Sequence, residues 1–396
     1  MTVADIGKRV SHYEDELIRL RRDFHRHPEL GFEERRSAGI ISDYLKGLGL
    51  EVHEGIGKTG VVALLAGNPA GRTVLLRADM DALPIQEMNL TEYRSVREGV
   101  MHACGHDGHM AILLVTARIL AELRSELAGT VKFVFQPAEE SLGGARYMIN
   151  DGVLEDPRVD AAFGLHIINQ IPVGMIAFRS GSIMAAMDSF TIHIKGKGGH
   201  SAMPEGGIDA IAIAAHVAIN IQALIQKEIS PLIPLIVNIG TFHGGTASNV
   251  IAETVELTGT VRCLDEQIRK TIPERMKRIL GGITQSLRGD FELEYVPGYP
   301  VTVNDARMTD LVERIAVDVV GTESVFEVPA TMASEDMSFY LQRIPGSYFY
   351  VGGGNFERGI CEPHHNARFD FDERALLIGT TMLSRIALAY LDQEKK

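Results

Sequence analysis

Apolar residues recur at helical spacing over residues 6–20 and again over 37–48, with a turn at His27-Pro28 between them. Two short, nearly continuous apolar runs follow at 61–66 and 73–78, separated by the turn Gly67-Asn68-Pro69-Ala70-Gly71, and predict buried strands. Residues 110–127 keep the spacing of a long helix, and 131–136 and 161–166 read as further strands. Strands alternating with helices predict an α/β domain built on a mostly parallel sheet.

The pattern then changes. Residues 188–195, Asp-Ser-Phe-Thr-Ile-His-Ile-Lys, alternate as a half-buried strand does, and 208–225 reads as a strong helix. Strands at 235–242 and 254–262 follow, then a helix over 266–287 with Asp265 as its N-cap, then a strand at 291–296. Strand, helix, strand, strand, helix, strand is the order of a ferredoxin-like domain. From Tyr299 the α/β character returns, with helices at 306–320 and 337–341, a strand at 348–352 and a final helix from Glu373. The expected organisation is a discontinuous main domain, 1–186 and 298–396, carrying an inserted α+β domain at 187–297.

Bulk properties narrow the function classes. A net charge of -13 argues against nucleic acid as a partner, because a phosphate-binding surface needs a basic excess. Three cysteines in 396 residues do not make a disulfide framework and fit a reducing compartment. Residues 1–10 hold no apolar signal core, and no run of about 18 uncharged apolar residues reads as a membrane span. The expectation is a cytoplasmic protein without a membrane partner.

Several short segments concentrate chemistry. His102-Ala103-Cys104-Gly105-His106-Asp107-Gly108-His109 packs thiolate and imidazole, good ligands for borderline divalent metals, around a glycine that lets the backbone turn both side chains to one place. The competing reading is a His-rich surface loop. Glu139-Glu140 follow a strand, where α/β sheets bind ligands, so one can hold a metal while its neighbour acts as a base; alone, they would equally suit a helix start. Asp79 and Asp81 also end a strand and would point the same way. His166 closes an apolar run, and Pro363-His364-His365-Asn366 precedes acidic residues. In the inserted domain, His200 and Asn249 sit on Gly-rich turns that lack the spacing of a phosphate-binding loop.

Taken together and in order, these segments resemble the dinuclear metallo-aminoacylase and carboxypeptidase family, in the branch holding hippurate hydrolase and the plant auxin–amino-acid conjugate hydrolases. The resemblance runs from residues 22–30 through 77–84, 101–109, 136–140, 199–204 and 248–250 to Ser334-Glu335-Asp336 and His365-Asn366. It implies a metallopeptidase-type α/β sandwich with an inserted ferredoxin-like domain that serves as lid and dimerisation module. It implies Cys104, His106, Glu140, His166 and His365 as metal ligands, with Cys104 bridging two ions where other branches use aspartate. Glu139 becomes the general base and Asp81 the residue that orients a ligand. Asp79 falls where other branches place a ligand histidine, and Ala367 where the pattern has proline. His200 resembles the oxyanion-stabilising histidine, acting in relatives across a homodimer, and Asn249 a substrate-binding residue.

The function this implies is hydrolysis of the amide of a small N-acyl amino acid, with two divalent cations per subunit, zinc or manganese first and cobalt or nickel as alternatives. Asn249 and Arg262 are the candidates to receive the amino-acid carboxylate. Three other readings compete: a metallo-dipeptidase or carboxypeptidase using the same site, a hydrolase with Cys104 as nucleophile, and a non-catalytic metal-binding scaffold.

Overall fold

The computed structural model describes residues 3–68, 71–140 and 142–392; of the expected turn at 67–71, Pro69 and Ala70 lie outside the described residues. The chain opens with α1 (Val3–His12) and α2 (Glu14–Arg26), not one helix, because Tyr13 leaves helical geometry between them. Then come α3 (Arg35–Gly47), β1 (Glu51–Ile56), β2 (Gly60–Ala66), β3 (Thr73–Asp79), α4 (His106–Glu122), β4 (Thr130–Gln136), α5 (Gly144–Asn150), β5 (Ala161–Pro172), β6 (Ile176–Phe178) and β7 (Gly181–Met184). The middle of the chain forms β8 (Ala186–Lys195), β9 (Gly199–His200), α6 (Ala210–Lys227), β10 (Leu235–Gly244), β11 (Val250–Ile251), β12 (Thr254–Cys263), α7 (Glu266–Ser286), β13 (Asp290–Tyr299) and β14 (Thr302–Asn304). The remainder supplies α8 (Ala306–Val320), β15 (Val325–Glu327), α9 (Ser338–Leu341), β16 (Gly346–Gly354) and α10 (Arg374–Leu391).

These elements divide into two units. The larger comprises residues 1–181, 303–329 and 336–396; the smaller comprises 182–302 and 330–335. The boundaries lie beyond the expected 187–297 on both sides, and residues 330–335 join the smaller unit because Ala185 donates its N–H to the carbonyls of Thr331 and Ala333.

The sheet of the larger unit has the order β1-β2-β4-β3-β5-β16-β6-β15. Its centre, β4-β3-β5-β16, is parallel, but β1, β2 and β6 pair antiparallel, so the sheet is mixed and not mostly parallel along its whole width. β3 is buried at every position, which explains its unbroken apolar run up to Arg77 and Asp79. α4 is buried on almost every face, packed between the sheet and the outer helices. α10 is long and apolar enough by composition to cross a membrane, yet two-thirds of it is buried against this core.

The smaller unit is the α+β domain that the alternation implied. Its antiparallel sheet has the order β10-β12-β8-β13, covered by α6 and α7 around a separate apolar core. Asp265 caps α7 by accepting from the Ile268 N–H at 2.9 Å.

The segment after β4 turns tightly before α5, and Gly144 makes that turn feasible. A Cβ there would lie 1.7 Å from the Pro137 carbonyl oxygen, which no side-chain adjustment can relieve. We expect Gly144→Ala to destabilise the fold by roughly 3 kcal/mol through overpacking, read as a lowered midpoint in denaturant unfolding.

Candidate metal centre

The carboxyl ends of the central parallel strands bring the chemistry-bearing segments together, as expected of an α/β sheet. β3 delivers Asp79 and Asp81, β4 delivers Gln136 and the segment to Glu140, and His166 lies midway along β5. Cys104 and His106 flank Gly105, whose φ of 91° is left-handed and lets the loop turn into the first turn of α4. His365 comes from the loop after β16, held by its N–H on the Ala103 carbonyl at 2.8 Å.

The result is two donor groups that share one atom. Cys104, His106 and His166 place their ligand atoms within 4.8 Å of one another, and so do Cys104, Glu140 and His365. Cys104 Sγ lies 3.4 Å from His166 Nε2, and His365 Nε2 lies 3.1 Å from Glu140 Oε1. All five residues carried over as ligands therefore converge, and the thiol stands where a bridging ligand must. His364 does not compete: its Nε2 is spent on the Ile167 carbonyl at 2.8 Å.

Hydrogen bonds on the far side of the imidazoles orient them for coordination. His106 donates Nδ1–H to the Asp81 carbonyl at 2.8 Å, which leaves Nε2 buried and without a hydrogen-bond partner. His166 donates Nδ1–H to the Ile167 carbonyl at 2.8 Å, turning Nε2 toward the thiol. An orphaned buried imidazole nitrogen, a thiol and a carboxylate form a donor set that fits divalent cations.

Asp81 acts as a clamp. Its two carboxylate oxygens accept the backbone N–H groups of Glu139 and Glu140, each at 2.9 Å. It thus fixes the candidate base and a ligand while its carbonyl holds His106. Asp79 is not in ligand geometry with the thiol. It accepts from His109 Nδ1 at 2.7 Å and from Arg77 at 2.7 Å, while His109 Nε2 accepts the Ile167 N–H at 3.0 Å, so both rings of that pair are satisfied internally. Arg77 also reaches Gln136 and Asp336, and Gln136 donates to Asp336 in turn. Asp107 serves the fold, binding Arg21 at 2.8 Å and His25 at 2.9 Å. Burial pushes His102 down to about 3, so it is neutral, and it belongs to neither donor group.

Sequence reasoning passed over Glu34. It is fully buried, accepts the Ala138 N–H at 2.9 Å and the Thr59 hydroxyl at 2.5 Å, and burial pushes its carboxyl up to about 7. Nothing local marks it, because its partner lies 104 positions away.

His200, Asn249 and Arg262 lie on the smaller unit. His200 is paired with Val250 on the β9–β11 ladder, next to Asn249, and both are exposed. His200 Nδ1 accepts the Ala202 N–H at 3.1 Å, so the proton of the neutral ring sits on Nε2, available to donate. Arg262 is otherwise engaged: it donates to the Met332 carbonyl at 2.8 Å and lies 3.5 Å from Met187 Sδ.

Comparison with known proteins follows the same outline. The model of peptidase family M20/M25/M40 matches residues 75–389. The chain belongs to that family. Among M20 relatives, thermostable carboxypeptidase 2 of Saccharolobus solfataricus is 40% identical over 385 residues, covering 96% of this chain and 97% of the relative. The N-acyl-L-amino acid amidohydrolase of Geobacillus stearothermophilus is 45% identical over 306 residues, covering 77% and 82%. The structure of the YXEP protein of Bacillus subtilis, a dinuclear metal-binding peptidase of the M20 family, superposes with a TM-score of 0.85 at 34% identity, covering 97% of this chain and 99% of that one. The chain is thus a metal-dependent hydrolase of the amide-cleaving M20 kind with two metal ions, and the α/β architecture with its inserted domain is that of its relatives.

Protonation links this M20 centre to its metals. Burial, then Glu140 and Glu139, push the Cys104 thiol well above its usual range. Burial alone would lower His106, but Asp79 and then Asp81 carry it up to about 10. Both therefore hold protons at neutral pH until a cation displaces them. We expect metal loading at pH 7 to release at least one proton per chain and to weaken as pH falls, measured by calorimetry in buffers of differing ionisation enthalpy.

Proposed function

We propose that this enzyme hydrolyses the amide of small N-acyl amino acids, hippurate-like conjugates included, to a carboxylic acid and an amino acid. The observation that carries the reading is the pair of donor groups sharing the Cys104 thiol, beside a buried Glu139 whose backbone is clamped by Asp81. The relative named N-acyl-L-amino acid amidohydrolase supports the substrate class. The relative named thermostable carboxypeptidase 2 favours a second reading, cleavage of small peptides at the same site.

Cys104, His106 and His166 would hold one ion and Cys104, Glu140 and His365 the other, which together supply the positive charge that acidifies a water and polarises a carbonyl. Zinc suits the thiolate and imidazoles best; manganese, cobalt and nickel suit the carboxylate and imidazole donors as well. Glu139 takes the proton of the attacking water and returns it to the leaving nitrogen. His200, with its Nε2 proton free, donates to the oxyanion of the tetrahedral intermediate. Asn249, beside it, receives the amino-acid carboxylate, with Arg262 shaping the segment through Met332. The raised pKa of Cys104 speaks against the thiol as nucleophile, which would need to be thiolate without a metal. An intact Glu139 speaks against a scaffold. The free thiols fit a reducing, cytoplasmic setting.

The smaller unit also supports a homodimer. β10 is the outer strand of its sheet, and Ile219, Leu232, Ile236 and Phe242 on α6, the following loop and β10 are exposed. An open edge with apolar neighbours is a pairing surface for a second copy.

Glu139→Ala should lower kcat roughly 10²- to 10⁴-fold on hippurate while both metals remain bound by elemental analysis; an unchanged rate would remove Glu139 from its role. A panel of acyl amino acids and dipeptides, assayed after chelation and refilling with zinc, manganese, cobalt or nickel, separates the two substrate readings. Sedimentation should give twice the 43.3 kDa chain mass, reduced to the monomer by a charge at Leu232 or Ile236 if that face is the interface.

A further inference from the structure

Glu34 opens α3 but does not cap it. The first N–H groups of that helix, from Arg36 and Ser37, are taken by the two oxygens of Glu29 at 2.9 and 2.8 Å. The Glu34 carboxylate forms no cap bond of its own, although carboxylates at that position commonly do. It points inward and is fully buried, with one oxygen on the Ala138 N–H and the other on the Thr59 hydroxyl in the turn between β1 and β2.

Ala138 is the residue before Glu139, and its φ is +53°, the left-handed region that a side chain disfavours. That conformation persists only where the surroundings enforce it. Three consecutive N–H groups therefore point at buried carboxylates: that of Ala138 at Glu34, those of Glu139 and Glu140 at Asp81. Gly31 presses close behind, with Ala138 Cα and Cβ each 3.1 Å from where its own Cβ would stand. The turn has no helical or sheet bond to set its direction at Ala138; the Glu34 acceptor does so.

We infer that Glu34 is a positioning residue for the catalytic base: by holding the Ala138 N–H it fixes the left-handed turn that aims the Glu139 carboxylate. The inference rests on Glu139 being the base. Asp81 grips the turn from its exit side, and Glu34 grips it from its entry side through a segment outside residues 75–389, which the family model spans. Loss of the entry grip lets the backbone at Ala138 relax to negative φ, which rotates the following residue without removing any metal ligand. A displacement of this kind affects turnover more than substrate binding.

The test uses the metal-loaded full chain with Glu34→Ala, Glu34→Gln and Glu139→Ala in parallel. Glu34→Ala should lower kcat about 10- to 100-fold with KM within about threefold and both metals retained. Glu34→Gln, whose amide oxygen still accepts from Ala138 and whose NH2 can donate to Thr59, should recover most of that loss. Glycine adopts positive φ without a Cβ penalty, so adding Ala138→Gly to Glu34→Ala should restore part of kcat, which a general loss of stability would not allow. A normal kcat for Glu34→Ala with Glu139→Ala inactive overturns the positioning role alone. A normal rate for Glu139→Ala overturns the base assignment, and this inference with it. If Glu34→Ala does not fold, Glu34→Gln at wild-type kcat supports the role and at the expected deficit overturns it.

Discussion

A thiol and several carboxylates packed into a dry interior cannot all carry charge unless positive charge comes to meet them. Around Cys104 that requirement governs the architecture. On the underside, Arg77 compensates Asp79 and Asp336. On the other side the compensation has to be mobile and divalent, because the converging donors are lone pairs of sulfur, nitrogen and oxygen aimed at shared points. Burial and the neighbouring acids hold protons on Cys104 and His106 until cations take their place. The fold of the larger unit can be seen as a means of holding this arrangement apart from water: β3 wholly buried, α4 buried on nearly all faces, and the Glu139–Glu140 turn strapped down from both ends.

Each ligand has a second bond that fixes its direction. His106 is aimed by the Asp81 carbonyl, His166 by that of Ile167, and His365 by the anchoring of its backbone on Ala103. The same economy appears in Asp81, which serves His106 through its carbonyl and two backbone amides through its carboxylate. This explains why an aspartate that touches no donor group stays close to the chemistry: it acts on the backbone, not on the ions.

Much of this could be read along the chain, for identifiable reasons. The ligands sit in short segments with unusual side chains, and the split strand–helix order of the smaller unit survives in the alternation of β8 and the cap of α7. What escaped reading has equally physical causes. β1 is largely exposed, so no apolar alternation betrays it, and α5 is too short to show a period. The antiparallel flanks of the main sheet depend on which edges meet, not on composition. The tie between Arg262 and Met332, and that between Glu34 and Ala138, join distant positions through backbone atoms, which carry no mark of their partner.

The order of the ligands along the chain has a consequence for biogenesis. Cys104, His106, Glu140 and His166 precede the inserted domain, whereas His365 follows it. A nascent polypeptide can therefore complete the group containing His106 and His166 early, but the one containing His365 waits until the ribosome has translated the insertion and most of what comes after. Occupancy by the second ion is thereby a late checkpoint in maturation, registering that both halves of the split unit have been synthesised and joined.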